Sequence, residues 1–137
     1  MLARIGSITT LDIGYCMVLG GANDAAAGTG SATTIANIQG ILDDLVAAGI
    51  VPIVGTILPR TGISLAAEQE TITGTNAWLR GDFATEYPTA RLVDWNDEMN
   101  DGSETTPNAA LFSDGIHPNA TGATVMAGVL DDVLAAL

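Results

Sequence analysis

Ile13-Gly14-Tyr15-Cys16-Met17-Val18-Leu19-Gly20-Gly21-Ala22-Asn23-Asp24 is the stretch from which the fold is read. Ile13 to Leu19 form a near-continuous apolar run, and paired glycines close it. Such a run predicts a strand buried on both faces, as in a parallel sheet. Downstream, 28–31 read as a loop. Ile35, Ile38, Leu42, Leu45 and Val46 then recur at helical spacing, with Asp43 and Asp44 off that face and Gly49 as the C-terminal stop. Ile50 to Leu58 predict a second buried strand closed by Pro59-Arg60, although Pro52 near its start weakens the pattern.

A helix is predicted over 65–80, with Leu65, Ile72 and Leu79 as its apolar positions, Asn76 on the same face and Gly74 inside it. Ala90 to Asp94 give a third short strand, Trp95 to Asn100 a helical turn, and 101–110 a polar loop. The last helix uses Val125, Met126, Val129, Leu130, Val133 and Leu134, with Asp131 and Asp132 facing water. Residues 1–12 carry little pattern. Strands alternating with helices mean βαβ units, an α/β fold with a parallel sheet, and right-handed crossovers. Sites in such sheets lie beyond the carboxyl ends of the strands. One rim should therefore gather Asn23, Arg60, Asp114 and His117.

Composition narrows the function. With 137 residues, 47% of them hydrophobic, the chain is long enough for one domain with a real core. The net charge is −12, and all four basic residues are arginines. With no basic patch to neutralise phosphates, nucleic acid is not an expected partner. The same acidity argues against an anionic membrane surface. Cys16, the single cysteine, permits no internal disulfide and reads as a small buried hydrophobe. One histidine, no cysteine pair and no calcium-loop spacing leave no expected metal site or cofactor.

The chemistry concentrates in Asp114-Gly115-Ile116-His117-Pro118. His117 is the sole histidine, and histidine is the side chain best suited to moving protons near neutral pH. A short turn can hold the Asp114 carboxylate against the ring Nδ1–H and leave Nε2 free as a base. Arg60 is a candidate contact for a substrate carboxylate or sugar, the alternative being an ion pair with one of the many local acids. Trp78 and Trp95 read as packing, and Asp24 as a helix or loop cap.

Gly21-Ala22-Asn23-Asp24 after an apolar strand resembles the G-x-N-D block of the SGNH, or GDSL-type, esterase/acylhydrolase superfamily. Asp114-Gly115-Ile116-His117 resembles its D-x-x-H block, including the proline that follows. The two stand roughly 90 residues apart, filled by two βα units. The resemblance implies a flavodoxin-like three-layer α/β/α fold and ester hydrolysis through a serine acyl-enzyme. It implies His117 as general base, Asp114 as its orienter and Asn23 as an oxyanion donor. Gly21 and Arg60 become the candidate substrate contacts.

The chain departs from that family at its start. The G-D-S block that supplies the nucleophile, and the block with a glycine backbone donor, normally occupy a β-α-β segment before the G-x-N-D strand. About twenty residues precede Asn23 here, too few for another strand and a crossover of at least ~10–12 residues. Ser7 in Gly6-Ser7-Ile8-Thr9 only superficially matches the first block, and Ser31, Ser64, Ser103 and Ser113 lie in no strand-to-helix elbow. The expectation is a single SGNH hydrolase-like domain over 1–137, N-terminally truncated, holding the acid–base half of the site and lacking the nucleophile. In a 2-1-3-4-5 strand order the strand at 13–19 would then be an open apolar edge, available to the missing segment or to a second copy. The expected substrate is a small-molecule or glycan ester. The alternative is a non-catalytic glycan-binding or structural module that kept the fold.

Overall fold

The structure, a computed structural model, describes residues 5–137. In chain order the elements are α1 (Ile5–Ile8), β1 (Tyr15–Val18), α2 (Ala22–Ala26), α3 (Ser31–Ala47), β2 (Val51–Gly55), α4 (Ala66–Arg80), α5 (Phe83–Glu86), β3 (Arg91–Val93), α6 (Trp95–Met99) and α7 (Ala120–Leu134). The three strands form one parallel sheet in the order β1-β2-β3. The predicted α/β architecture is therefore present, with helices on both faces of the sheet.

Register determines which residues meet which layer. Val18 lies opposite Val54, and Met17 opposite Ile53. Val18 and Val54 face α3 and α4, where they pack with Ile38, Ile41, Leu42, Leu45, Trp78 and Leu79. Ile53 and Val93 face the other way, onto Trp95 and the Met126, Val129, Leu130 and Val133 stripe of α7. Period-2 alternation in the strands and 3.6-residue periodicity in the helices thus build the two interfaces of a three-layer sandwich. Gly55 has a packing reason: a Cβ there would stand 2.5 Å from the Trp95 ring. Gly74 lets α4 approach the start of α3, since its Cβ would fall 2.6 Å from Ser31 Oγ.

Several expectations need correction. The strand at 13–19 is shorter than predicted and is not buried on both faces: among the described residues β1 is an edge strand, and only Val18 at its end is fully buried. Tyr15 and Met17 share the face of Ile53, but α7 covers that face over β2 and β3 and leaves it bare over β1. Leu11, Ile13, Tyr15, Met17 and Leu19 are all exposed as a result. Val46, Leu65 and Leu134, predicted on apolar helix faces, lie exposed instead. Leu65 immediately precedes α4, and Glu68 reaches back to the Ser64 and Leu65 N–H groups at 2.7 and 2.8 Å, satisfying donors the helix itself cannot. Ser31, assigned to a loop, opens α3. The short helices α1, α2 and α5 carried too few residues for a periodic signal. Among the described residues, no helix is long and apolar enough to cross a membrane.

An edge strand with a bare apolar face is a template for association. We expect concentration-dependent self-association despite the charge of −12, and its reduction by the paired change Tyr15→Lys and Met17→Lys. Sedimentation velocity over a concentration series checks this, and a monomer at the highest concentration would refute it.

Candidate active site

Asn23 and the turn ending at His117 arrive at the site from opposite ends of the chain. Asn23 lies in the first turn of α2, directly after the end of β1. Gly21 caps that helix with φ 95°, a left-handed conformation that favours glycine. Space is a second constraint: a Cβ on Gly21 would sit 2.4 Å from Ile57 Cδ1. Ile57 is itself pinned. Asn76, fully buried, accepts from the Ile57 N–H at 2.8 Å and donates to its carbonyl at 3.0 Å. Asn96, also fully buried, donates to the same carbonyl at 2.7 Å. Two buried amides thus hold the chain beyond β2, and the Asn23 turn rests on it. The Asn23 side chain is exposed and makes no hydrogen bond among the described residues, so its amide is not spent on local backbone. Asp24 makes no capping hydrogen bond, contrary to expectation, and contributes only an acidic group to the first turn of α2.

The Asp114–His117 turn is held mainly by its own carboxylate. Asp114 Oδ1 accepts from the N–H groups of Ile116 at 2.9 Å and His117 at 2.7 Å. Asp114 Oδ2 stands 2.8 Å from His117 Nδ1. That contact selects the Nδ1–H tautomer and leaves the Nε2 lone pair outward. Ser113 donates to the His117 carbonyl through both its N–H and its hydroxyl, at 2.9 and 3.0 Å. Asn119 then caps α7 by accepting from the Gly122 N–H, fixing the turn to the helix behind it.

The His117 hydrogen bond and two backbone donors hold the Asp114 carboxyl well below the usual carboxylate range. A depressed folded-state pKa contributes stability that is fully present above the unfolded value of about 4 and is lost only as pH falls through the lower, folded value. Asp114 should therefore remain ionised in acid that protonates ordinary aspartates. A carbon-detected NMR titration of its carboxyl checks this, and a midpoint near 4 would refute it.

The segment Pro59-Arg60-Thr61, after β2, links the two turns. Arg60 Nη1 donates to the Ala22 carbonyl at 3.0 Å, one residue before Asn23. The Thr61 N–H donates to the Gly115 carbonyl at 2.8 Å. Gly115 has φ 78°, and a Cβ on it would meet Thr61 Cγ2 at 2.5 Å. The glycine of the Asp114–His117 motif thus answers both a backbone conformation and a close neighbour. Thr61 had no signal in the sequence, because its role comes entirely from a residue 54 positions away.

A cavity of about 420 Å³ opens at the carboxyl ends of β1 and β2. Gly21, Asn23, Asp24, Arg60 and Ile116 line it. Ile116 brings the Asp114–His117 turn to the wall, whereas the His117 side chain itself, 76% exposed, is not part of the lining. No serine hydroxyl bonds to the His117 ring among the described residues. Ser7 lies in α1 and lines a different cavity with Cys16 and Ile41, Ser31 bonds Glu70, and Ser113 bonds only the His117 carbonyl. Trp78 and Trp95 pack as expected: Trp78 stands edge-on to Phe83, and Trp95 Nε1 donates to the Met126 carbonyl at 2.8 Å.

Known proteins share this fold. The GDSL-like lipase/acylhydrolase family matches residues 1–125. A candidate acylhydrolase from Bacteroides fragilis superposes with a TM-score of 0.82 at 28% identity, over 96% of this chain and 66% of that one. A GDSL-like lipase from Bacteroides thetaiotaomicron superposes with a TM-score of 0.84 at 24% identity, over 99% of this chain and 70% of that one. The chain thus spans about two thirds of the length of these solved structures. No curated protein matches it. The ordered pair of motifs, the parallel sheet that carries them and the match over residues 1–125 make this chain a member of the GDSL-like lipase/acylhydrolase family.

Proposed function

We propose that the protein acts in ester hydrolysis, contributing the general base and an oxyanion donor. The observation that carries this reading is the pairing of an unspent Asn23 amide with a carboxylate-oriented His117 beside one cavity. His117 Nε2 takes the proton from the attacking hydroxyl as its oxygen bonds to the ester carbonyl carbon. The carbonyl π electrons move to oxygen, and Asn23 Nδ2–H donates to that oxyanion, a contact worth ~3–4 kcal/mol in the transition state. Collapse of the tetrahedral intermediate breaks the bond to the leaving alkoxide, which recovers the proton from Nε2. Asp114 holds the ring and stabilises the imidazolium throughout. Gly21 shapes the wall beside the acyl group.

The family resemblance calls for a serine as the attacking group. We propose that none of the serines in these 137 residues fills that role, since none bonds to the ring. Oxyanion stabilisation and binding alone still leave roughly 10³–10⁴-fold catalysis over water when a triad member is missing. The expected result with p-nitrophenyl acetate is slow hydrolysis without a burst, in which His117 activates water in place of a serine, so that His117→Ala lowers the rate about 100-fold toward the remainder left by oxyanion stabilisation alone, and no stoichiometric fluorophosphonate labelling. A rate unchanged by His117→Ala would overturn the esterase reading. Stoichiometric, His117-dependent labelling of one serine would overturn the statement about the nucleophile.

A further inference from the structure

We propose that Arg60 makes this site selective for esters that carry a carboxylate near the scissile carbonyl. The inference rests on the ester-hydrolysis reading and names a substrate class for it.

Sixteen acids face four arginines in this chain, so an arginine free of carboxylates needs a reason. Arg80 binds Asp94 with two nitrogens and Glu104 with a third contact. Arg60, by contrast, has no carboxylate within 4.0 Å among the described residues. Its anchors are neutral: the Ala22 carbonyl at 3.0 Å from Nη1 and the Thr61 carbonyl at 3.4 Å from Nε. Glu68, close enough to feel the Arg60 charge, has its carboxylate on the Ser64 and Leu65 N–H groups. Carbonyl anchors fix the guanidinium without neutralising it. Two of its five N–H donors are used, which leaves three for a ligand. Arg91 also bonds only carbonyls, but it does not line this cavity.

Position gives the charge its meaning. Arg60 lines the same wall as Asn23 and holds the residue before it. A carboxylate on the acid or the alcohol side of the ester can reach the guanidinium while the carbonyl oxygen meets Asn23. Planar, bidentate pairing with a carboxylate is the interaction arginine makes best. The nearby Glu68 carboxylate, the net charge and one residue of the wall oppose it. The net −12 acts at long range and is screened beyond about 8 Å at physiological salt. Asp24, on the same wall, acts locally, so the ligand carboxylate belongs on the Arg60 side of the cavity.

The test is an NMR titration of the intact chain with two matched pairs, following the Asn23 side-chain amide and Arg60 Nε–H. Monomethyl succinate against methyl butyrate places the carboxylate on the acid side. Acetoxyacetate against propyl acetate places it on the alcohol side. At least one anionic member should bind about tenfold tighter than its neutral partner, a typical charge-assisted gain. Arg60→Met should bring that ratio to one, Arg60→Lys should keep part of it, and Asp24→Asn should raise it. If Arg60→Met fails to fold, the graded effect of Arg60→Lys carries the decision. Equal binding within both pairs, or a ratio that survives loss of the guanidinium, overturns the inference while the neutral esters still report at Asn23. Absence of any shift at Asn23 with all four ligands overturns the ester-hydrolysis reading and this inference with it.

Discussion

Asn23→Ala is expected to lower His117-dependent ester hydrolysis about 100- to 1,000-fold, almost entirely in kcat. Asn23 lines the cavity and its side-chain amide has no partner to give up among the described residues, so the donor is available without breaking another hydrogen bond. An interaction made only with the developing oxyanion lowers the barrier without tightening substrate binding, which places the loss in kcat. Asn23→Asp should be at least as damaging, because it replaces the donor with a negative charge where negative charge develops. Asn23 is exposed in the first turn of α2 and its side chain takes no part in holding that helix, so the melting temperature should move little. Steady-state kinetics on p-nitrophenyl acetate, beside thermal unfolding of the same variants, checks both statements. A rate within twofold of the parent would remove Asn23 from the mechanism.

Asn76→Ala should have the largest effect on stability, a loss of about 2–4 kcal/mol. Asn76 is fully buried, and its amide satisfies both main-chain groups of Ile57 where β2 has ended and no neighbouring strand can do so. Asn96 still reaches the Ile57 carbonyl in the variant, but the Ile57 N–H is left buried and unpaired, beside a void. For a chain of this length the melting temperature should fall roughly 6–15 °C. Asn76→Leu separates the two causes: it fills the void and leaves the orphaned N–H, so it should recover only part of the loss. Circular dichroism melts of the two variants are sufficient, and a loss under about 1 kcal/mol in Asn76→Ala would show that the Ile57 segment holds without this clamp. The clamp also supports the site, because Ile57 is the surface on which Gly21 and the Asn23 turn rest.

Residue types and spacing alone made the three strands, the three long helices and the two motifs legible. Short apolar runs, the first closed by glycines and the second by Pro59-Arg60, located all three strands, and 3.6-residue periodicity located α3, α4 and α7. These signals are local, so spacing alone reveals them. The Asp114–His117 pairing was legible for the same reason: a carboxylate three residues before a histidine, with glycine between, can close only within its own turn. Tertiary structure decided what depends on neighbours distant in sequence. An apolar run cannot say whether one of its faces stays bare, and β1 does so because α7 stops over β2 and β3. The role of Arg60 could not be read from its surroundings in sequence, since the partners that matter are the Ala22 and Thr61 carbonyls rather than an acid. Gly21, Gly115, Thr61 and Asn76 acquire their reasons only when Ile57 and the two motif turns converge at one rim, because close packing is a property of three-dimensional neighbours.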